Sequence, residues 1–439
     1  MATSQVSIGF TFVTSILLPY LSILVLQDIS TRDPDKLIRT QSRRYLNLFS
    51  STLLTGRIDV VMRPHPTIHI IGAGIGGLTL AKCLKNKGIQ AIVFEKNPSP
   101  AQHSYGISLQ SKTCQALMKV LGIDEPTFWK RVAVDGLIGG RGIIMSKGIR
   151  EAAAQRGVRT HRGRVEGLLR ESLDIRWGHV LENVSNNGAK HVLKCKGKDD
   201  IRSDFLVDTS GAHSPVRRSL LPGVQQTILP YVVFRGTRHI DGSTFKELYK
   251  PKFEGGSMIE MRDGNTLLQI SINDVRERGD EVNISYIYSR RARQDDQLHR
   301  PERTLQGSND ISELFFAEVS TLPELEQPFK DAFDEEKMRG DRILHWLMRD
   351  ILVPLGDLKS LAKKGVIAIG DAAHATPILG GEGANSAIAD AVGLAEWILS
   401  QGVEEVSGFY DNIYGEWESE VKESEERLML MNSFSRRSC

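Results

Sequence analysis

Cysteine is scarce in this chain. Its 439 residues include four, Cys83, Cys114, Cys195 and Cys439, with no C-x-x-C pair and no His/Cys spacing of a metal site. A disulfide framework and a structural zinc are therefore excluded as organising elements, and no metal is expected. An excess of charge of one sign is also missing: 56 Lys+Arg against 54 Asp+Glu leave a net charge of +2. Without a basic stripe interleaved with aromatics, nothing points to nucleic acid as a partner. Internal repeats and low-complexity segments are lacking too. The 40% apolar and 25% charged content is ordinary for a globular protein, and the length suffices for two domains with sizeable cores. Cys83 and Cys114 fall in apolar helical stretches and are expected to be buried thiols of a reduced compartment.

One long uncharged run stands apart. Residues Ile8 to Leu26 read IGFTFVTSILLPYLSILVL, and as a helix would span about 28 Å, close to the hydrocarbon thickness of a bilayer. No basic residue precedes it, which argues against a cleaved signal peptide. Arg32, Lys36, Arg39, Arg43 and Arg44 follow it, an arrangement that keeps the rest of the chain in the cytosol. Residues 1–30 are expected to hold a membrane anchor, with the endoplasmic reticulum as its membrane; without it the protein would be cytoplasmic. Residues 31–66 read as a polar linker.

The strongest signal begins after that linker, in Thr67-Ile-His-Ile-Ile-Gly72-Ala-Gly74-Ile-Gly76-Gly77-Leu-Thr-Leu-Ala81. A short β-branched strand, a G-x-G-x-x-G turn and an apolar helix are followed by a second strand, Ala91–Phe94, ending at Glu95. This is the first half of a dinucleotide-binding fold. Gly72 permits the tight turn, Gly74 lets backbone amides approach a pyrophosphate, and Gly77 allows close helix–strand packing. Glu95 would accept hydrogen bonds from ribose hydroxyls and repel a 2′-phosphate, which selects FAD or NAD over NADP at this site.

Further on, Ser104–Leu109 reads as a strand before a helix Thr113–Leu121 closed by Gly122. Val158–Thr160 reads as a strand before a helix opened by His161-Arg162, and Ile201–Val207 as another strand. From Tyr231 to about Tyr288 the alternation changes to period two, the pattern of an antiparallel sheet. Residues 290–340 are charged and predicted helical. A second glycine-rich element, Gly365-Val-Ile-Ala-Ile-Gly370-Asp371-Ala-Ala-His374, continues through Gly383-Ala384-Asn385 into an apolar helix from about Ala384 to Leu399. Asp371 would bond a sugar-like hydroxyl chain. The helix N-terminus would face an anionic edge such as that of a reduced flavin. His374 is expected to be structural.

With these elements the chain resembles the FAD-dependent aromatic-hydroxylase type (group A) monooxygenases, and within them the fungal secondary-metabolism members, from about residue 67 to 430. The first and third family fingerprints stand almost letter for letter. The middle one, usually Gly-Ala-Asp-Gly, reads Asp208-Thr209-Ser210-Gly211 here, with Ser214 and Arg217 kept. In the family that aspartate helps hold FAD and the nicotinamide cofactor, so Ser210 bears on NAD(P)H use.

The resemblance implies an α/β fold. A Rossmann-like FAD-binding domain (67–225 and 346–439, the latter with C-terminal helices) would carry an inserted antiparallel-sheet substrate domain (226–345). It further implies cofactor contacts by Gly72, Gly74, Gly77, Glu95, Gly106, Arg162, Asp371 and Ala384, with Arg164 as the rival of Arg162. Arg235 would be the catalytic arginine of the substrate sheet, its alternative a place on the solvent face. The expected activity uses FAD as resident cofactor, NAD(P)H as visiting co-substrate and O₂. It would hydroxylate or epoxidise a hydrophobic small molecule, a polyketide or terpenoid. No second G-x-G-x-x-G and no W-x-W-x-I-P appear, which argues against disulfide reductases, Baeyer–Villiger enzymes and flavin halogenases. A flavin reductase or dehydrogenase on the same fold, and a flavin-binding protein without turnover, are the other readings.

Overall fold

Near-continuous apolar runs make the central sheet. In Ile68–Ile71 and Phe205–Asp208 most side chains are buried, as expected where a parallel sheet is covered on both faces. The computed structural model describes residues 66–145, 157–187, 190–303, 306–380 and 382–433. The expected anchor and linker lie outside them. Among the described residues no helix is long and apolar enough to cross a membrane.

The parallel sheet has five strands in the order Val366–Ala368, Phe205–Asp208, Ile68–Ile71, Ala91–Phe94, Ile175–Arg176. The helix Ile75–Asn86 follows the first strand in sequence and packs against the long helix Gly383–Gln401. The two approach so closely that a Cβ on Gly76 would lie 3.3 Å from that of Ala387. Between these layers and the C-terminal helix Phe409–Met431 lies a core that includes Leu80, Val93, Ile367, Leu394 and Trp417. Cys114 and Cys195 are buried thiols, and Cys83 is half-buried.

The antiparallel sheet also has five strands, ordered Met258–Asp263, Thr266–Val275, Glu281–Arg291, Tyr231–Asp241, Arg342–Trp346. One face carries Phe234, Ile270, Ile284 and Tyr286 into a second core with Phe315 and Phe333. By the two-residue period of a strand, the opposite face carries Arg235, Ser271, Ser285 and Trp346. A bulge between Ile272 and Asp274 leaves Asn273 unpaired. A two-stranded ribbon, Gly106–Leu109 against Val158–His161, lies beside this sheet and leads into the helix Arg162–Arg170.

Two expectations need correction. Ile201–Val207 is two strands in different sheets: Ile201–Ser203 closes a three-stranded meander with Lys190–Cys195 and Leu181–Asn187, and Phe205–Asp208 enters the parallel sheet. The break falls where Ser203 Oγ donates to Phe205 O at 3.0 Å, a local bond that competes with the ladder. The charged stretch 290–340 holds short helices, Glu313–Ser320, Phe329–Ala332 and Glu335–Arg339, among loops. Pro301, Pro323 and Pro328 interrupt longer ones, and buried Arg290 pairs with Asp296 and Glu318.

Candidate active site

Each glycine of the first turn meets a different neighbour. Gly72 sits at φ +105°, and a Cβ there would lie 2.7 Å from Thr209 O; one on Gly77 would lie 2.1 Å from Gly72 O and 2.5 Å from Thr209 Oγ1. A Cβ on Gly74 would meet no protein atom within 4 Å. The packing demand therefore falls on Gly72 and Gly77, and the space over Gly74 is open. The helix starting at Ile75 has no side-chain cap and no acidic residue in its first turn, so its N–H groups are available to an anion. Buried Glu95 accepts from Ala73 N at 2.8 Å and from Asn97 N at 3.0 Å. A carboxylate has about four acceptor sites, which leaves it capacity for ligand hydroxyls.

The second element closes the other end. Asp371 stands on the turn Gly370–Ala372, with Oδ1 3.3 Å from where a Cβ on Gly383 would be. It thus abuts the first turn of the helix that carries half-buried Ala384, which also lacks a side-chain cap and a first-turn acid. Asp371 is half-buried and keeps accessible surface for a ligand. Its carboxylate accepts no hydrogen bond from the described residues, and burial pushes it up to about 6, opposed by the charges of His374 and Arg162. His374 braces the loop: Nε2 meets Asp390 Oδ2 at 2.7 Å, and the ring stacks on Trp417, which donates to Asp390 Oδ1 at 3.0 Å. Burial opposes protonation of His374, but Asp390 holds its pKa above the ordinary histidine value.

Tyr105 joins this part to the antiparallel sheet. Arg162 donates to Glu166 Oε1 at 2.8 Å and to Tyr105 Oη, and its guanidinium lies 5.5 Å from the Tyr105 ring centroid. The Arg235 guanidinium lies 5.1 Å from the same ring and 5.4 Å from that of Trp346. Arg235 is 8% exposed, so it is not on the solvent face, and it donates to Ser285 Oγ at 2.5 Å. Arg164 turns elsewhere, to Ala133 O and Asp274. Gly106 sits where the ribbon touches the sheet: its N–H donates to Asn273 Oδ1 at 3.0 Å, and a Cβ on it would lie 2.6 Å from Arg159 Nε. The bulge re-aims Asn273 to make that contact. Gln110, just beyond the ribbon strand, donates its backbone N–H to Asn385 Oδ1 at 2.9 Å, which ties the ribbon to the helix of Ala384.

The middle element keeps a carboxylate in a shifted place. Fully buried Asp208 takes Ser210 N–H at 3.0 Å and the hydroxyl of Ser214 at 2.5 Å, with the Ser210 hydroxyl on the same oxygen as its N–H. Arg217 donates to Ala372 O at 2.7 Å, joining this turn to that of Asp371. Sequence reading missed Asp208, Tyr105, Asn273 and Arg159. Asp208 was visible as an acid two places from where the family has one; nothing in the sequence marked the others.

These features fit FAD: an open space over an uncapped helix start, a ribose-height carboxylate, and a hydroxyl-accepting Asp371 beside a second uncapped helix. The FAD binding domain family matches residues 65–229 and 356–406. The FAD-dependent monooxygenase nscC of Arthroderma otae is 31% identical over 400 residues, covering 84% of this chain and 95% of its own length. The FAD-dependent monooxygenase adaC of Aspergillus niger is 28% identical over 392 residues, with 84% and 94% covered. Among solved structures, 2,6-dihydroxypyridine-3-hydroxylase from Arthrobacter nicotinovorans shares the fold, with a TM-score of 0.65 at 18% identity over 85% of this chain and 95% of that one. HpxO of Klebsiella pneumoniae complexed with FAD and uric acid does so with a TM-score of 0.60 at 15% identity, over 83% and 89%. The chain belongs to the FAD-dependent monooxygenases. This membership selects the oxygen-transferring enzyme among the three readings of the sequence.

Proposed function

We propose that the enzyme hydroxylates or epoxidises an electron-rich hydrophobic small molecule, a polyketide or terpenoid, on the Arg235 face of the antiparallel sheet, with NAD(P)H as reductant. The observation that carries this reading is Tyr105, whose ring lies within 5.5 Å of both Arg162 and Arg235. FAD, when bound, supplies electron transfer and oxygen activation. Glu95 and Asp371 would accept hydrogen bonds from its hydroxyl groups, and the starts of the helices carrying Gly74 and Ala384 would favour its anionic parts. Arg162, fixed by Glu166 and Tyr105, keeps a positive charge on the cofactor side. Arg235 and Trp346 orient the substrate, and the burial of this face keeps water away.

The test is oxygen uptake by the purified holoenzyme with NADH and NADPH over a panel of lipophilic polyketides and terpenoids. The expected result is substrate-triggered reductant oxidation with one oxygen atom from O₂ in the product. Reductant oxidation with no oxygenated product from any compound would reject the reading.

Asp371 gives this site a pH dependence. Its folded pKa is raised to about 6, so the carboxylate protonates as pH falls through that value and loses its charge-assisted acceptor role. FAD affinity is expected to be full above about pH 7 and to fall below about pH 6, by about tenfold for a bond of ~1.5 kcal/mol. Titration of apoprotein with FAD across that range measures it. In Asp371→Asn, affinity should be low throughout and nearly flat.

A further inference from the structure

Arg235 has a companion that its place in sequence does not announce. Arg159, on the ribbon, donates through Nη2 to Ser271 Oγ at 2.9 Å, through Nε to Ile272 O at 3.2 Å and through Nη1 to Ser108 Oγ at 3.3 Å. Ser271 and Ser285 are directly paired across neighbouring strands, so one serine holds Arg159 and its partner holds Arg235. Directly opposed residues have Cβ atoms about 5 Å apart, and the two guanidinium groups they hold are near enough for the charge of Arg235 to act on Arg159. Neither forms an ion pair with a carboxylate among the described residues. The acceptors around them are neutral: serine hydroxyls and the Ile272 carbonyl, with the faces of Tyr105 and Trp346 beside Arg235.

Two other arginines that reach into the protein interior are balanced by carboxylates. Arg290 has Asp296 and Glu318, and Arg238 has Asp331 and Asp341. Two uncompensated guanidinium groups in low dielectric are costly unless a ligand supplies the missing charge. Burial and then Arg235 bring Arg159 down to about 9, and burial brings Arg235 down to about 10; both shifts run in the direction of a site short of negative charge. Of the five N–H donors on Arg235, one goes to Ser285, and the others bond no acceptor among the described residues.

We propose that Arg159 and Arg235 form a paired-arginine clamp that binds the substrate as a planar oxyanion, an enolate or a carboxylate attached to the hydrophobic body. This rests on the reading that the Arg235 face is the substrate site. The planar fork of arginine matches two oxygens of such a group, and the aromatic faces suit a conjugated ring.

The experiment uses FAD-loaded wild type, Arg159→Gln and Arg159→Lys, with binding read from perturbation of the flavin absorption spectrum. One pair of probes is 1-hydroxy-2-naphthoate and its methyl ester; the other is 2-acetylcyclohexane-1,3-dione and its enol methyl ether. At about pH 7.5 the first member of each pair is an anion. Wild type is expected to prefer the anion of at least one pair by about a hundredfold, roughly a factor of ten from each arginine. Preference in the first pair alone names a carboxylate as the ligand, in the second alone an enolate, and in both the shared oxyanion. Arg159→Gln should lose about tenfold on the anion and change little on the neutral partner. Arg159→Lys, which keeps the charge, should retain part of the preference and serves if the glutamine variant loses flavin. Neutral partners bound as tightly as both anions, or a lysine variant with no preference left, would overturn the clamp. If no probe perturbs the flavin, the substrate-face reading itself falls, and the clamp with it.

Discussion

Arg235→Ala is expected to lower coupled product formation by about a hundredfold while the FAD content of the protein stays unchanged. The size follows from a pre-organised buried charge acting on the substrate, worth about 3 kcal/mol of barrier. Retention of FAD follows from placement: the polar partner of Arg235 is Ser285, and its ring neighbours are Tyr105 and Trp346. Ser285 remains bonded to Asn273 after the truncation, so no buried hydroxyl is orphaned. Arg235→Lys should recover a part only, because a point charge replaces a planar fork. Product must be quantified against reductant consumed, since a poorly held substrate diverts reducing equivalents to hydrogen peroxide. Wild-type product yield from Arg235→Ala would reduce this arginine to a packing residue.

Two neighbouring glycine substitutions should fail in opposite ways. Gly77→Ala places a methyl group 2.1 Å from one backbone oxygen and 2.5 Å from Thr209 Oγ1, and the backbone cannot yield without parting the helix from the strand. Overpacking of this kind costs about 1–3 kcal/mol or more, so apoprotein stability and FAD binding should fall together. Gly74→Ala meets no protein atom, and its φ of −77° suits alanine. Its apoprotein should melt within about 1 kcal/mol of wild type, the cost of exchanging one helix-start residue for another. FAD affinity should nevertheless drop by about a hundredfold or more, because the methyl fills the space a pyrophosphate would occupy. Thermal denaturation of both apoproteins beside FAD titration separates the cases. A Gly74→Ala protein that holds FAD normally would remove the phosphate from this turn.

The sequence carried the parts of this molecule whose signals are local. Gly72, Gly74 and Gly77 announce their turn through spacing, the antiparallel sheet announces itself through its two-residue period, and Asp371 follows a buried strand at a fixed place. Signals that depend on distant pairing were silent. Arg159 lies in the unremarkable string Val-Arg-Thr and becomes notable only when the Ser271–Ser285 pair brings it to Arg235. Asn273 is one polar residue in a strand until the bulge turns it toward Gly106. Ser210 stands where the family has its aspartate, and the sequence does not show that the carboxylate of Asp208, two places earlier, bonds Ser210 and Ser214 in the fold. Residues 290–340 break the helical pattern for a related reason: Arg290, Asp296 and Glu318 spend their charges on one another across the fold, and prolines divide the rest.

The way the antiparallel sheet is entered and left bears on how it is held. Its first strand, Tyr231–Asp241, and its last, Arg342–Trp346, are neighbours, with Val233 opposite Trp346, so the chain departs and returns at points about one strand spacing apart. The strands on either side of this excursion, Phe205–Asp208 and Val366–Ala368, are themselves paired. Everything between Tyr231 and Trp346 is therefore a cassette with adjacent ends. Its two ends can stay fixed while its interior changes, and beyond those ends the ribbon holds it to the rest of the molecule, through Gly106 on Asn273 and Arg159 on Ser271.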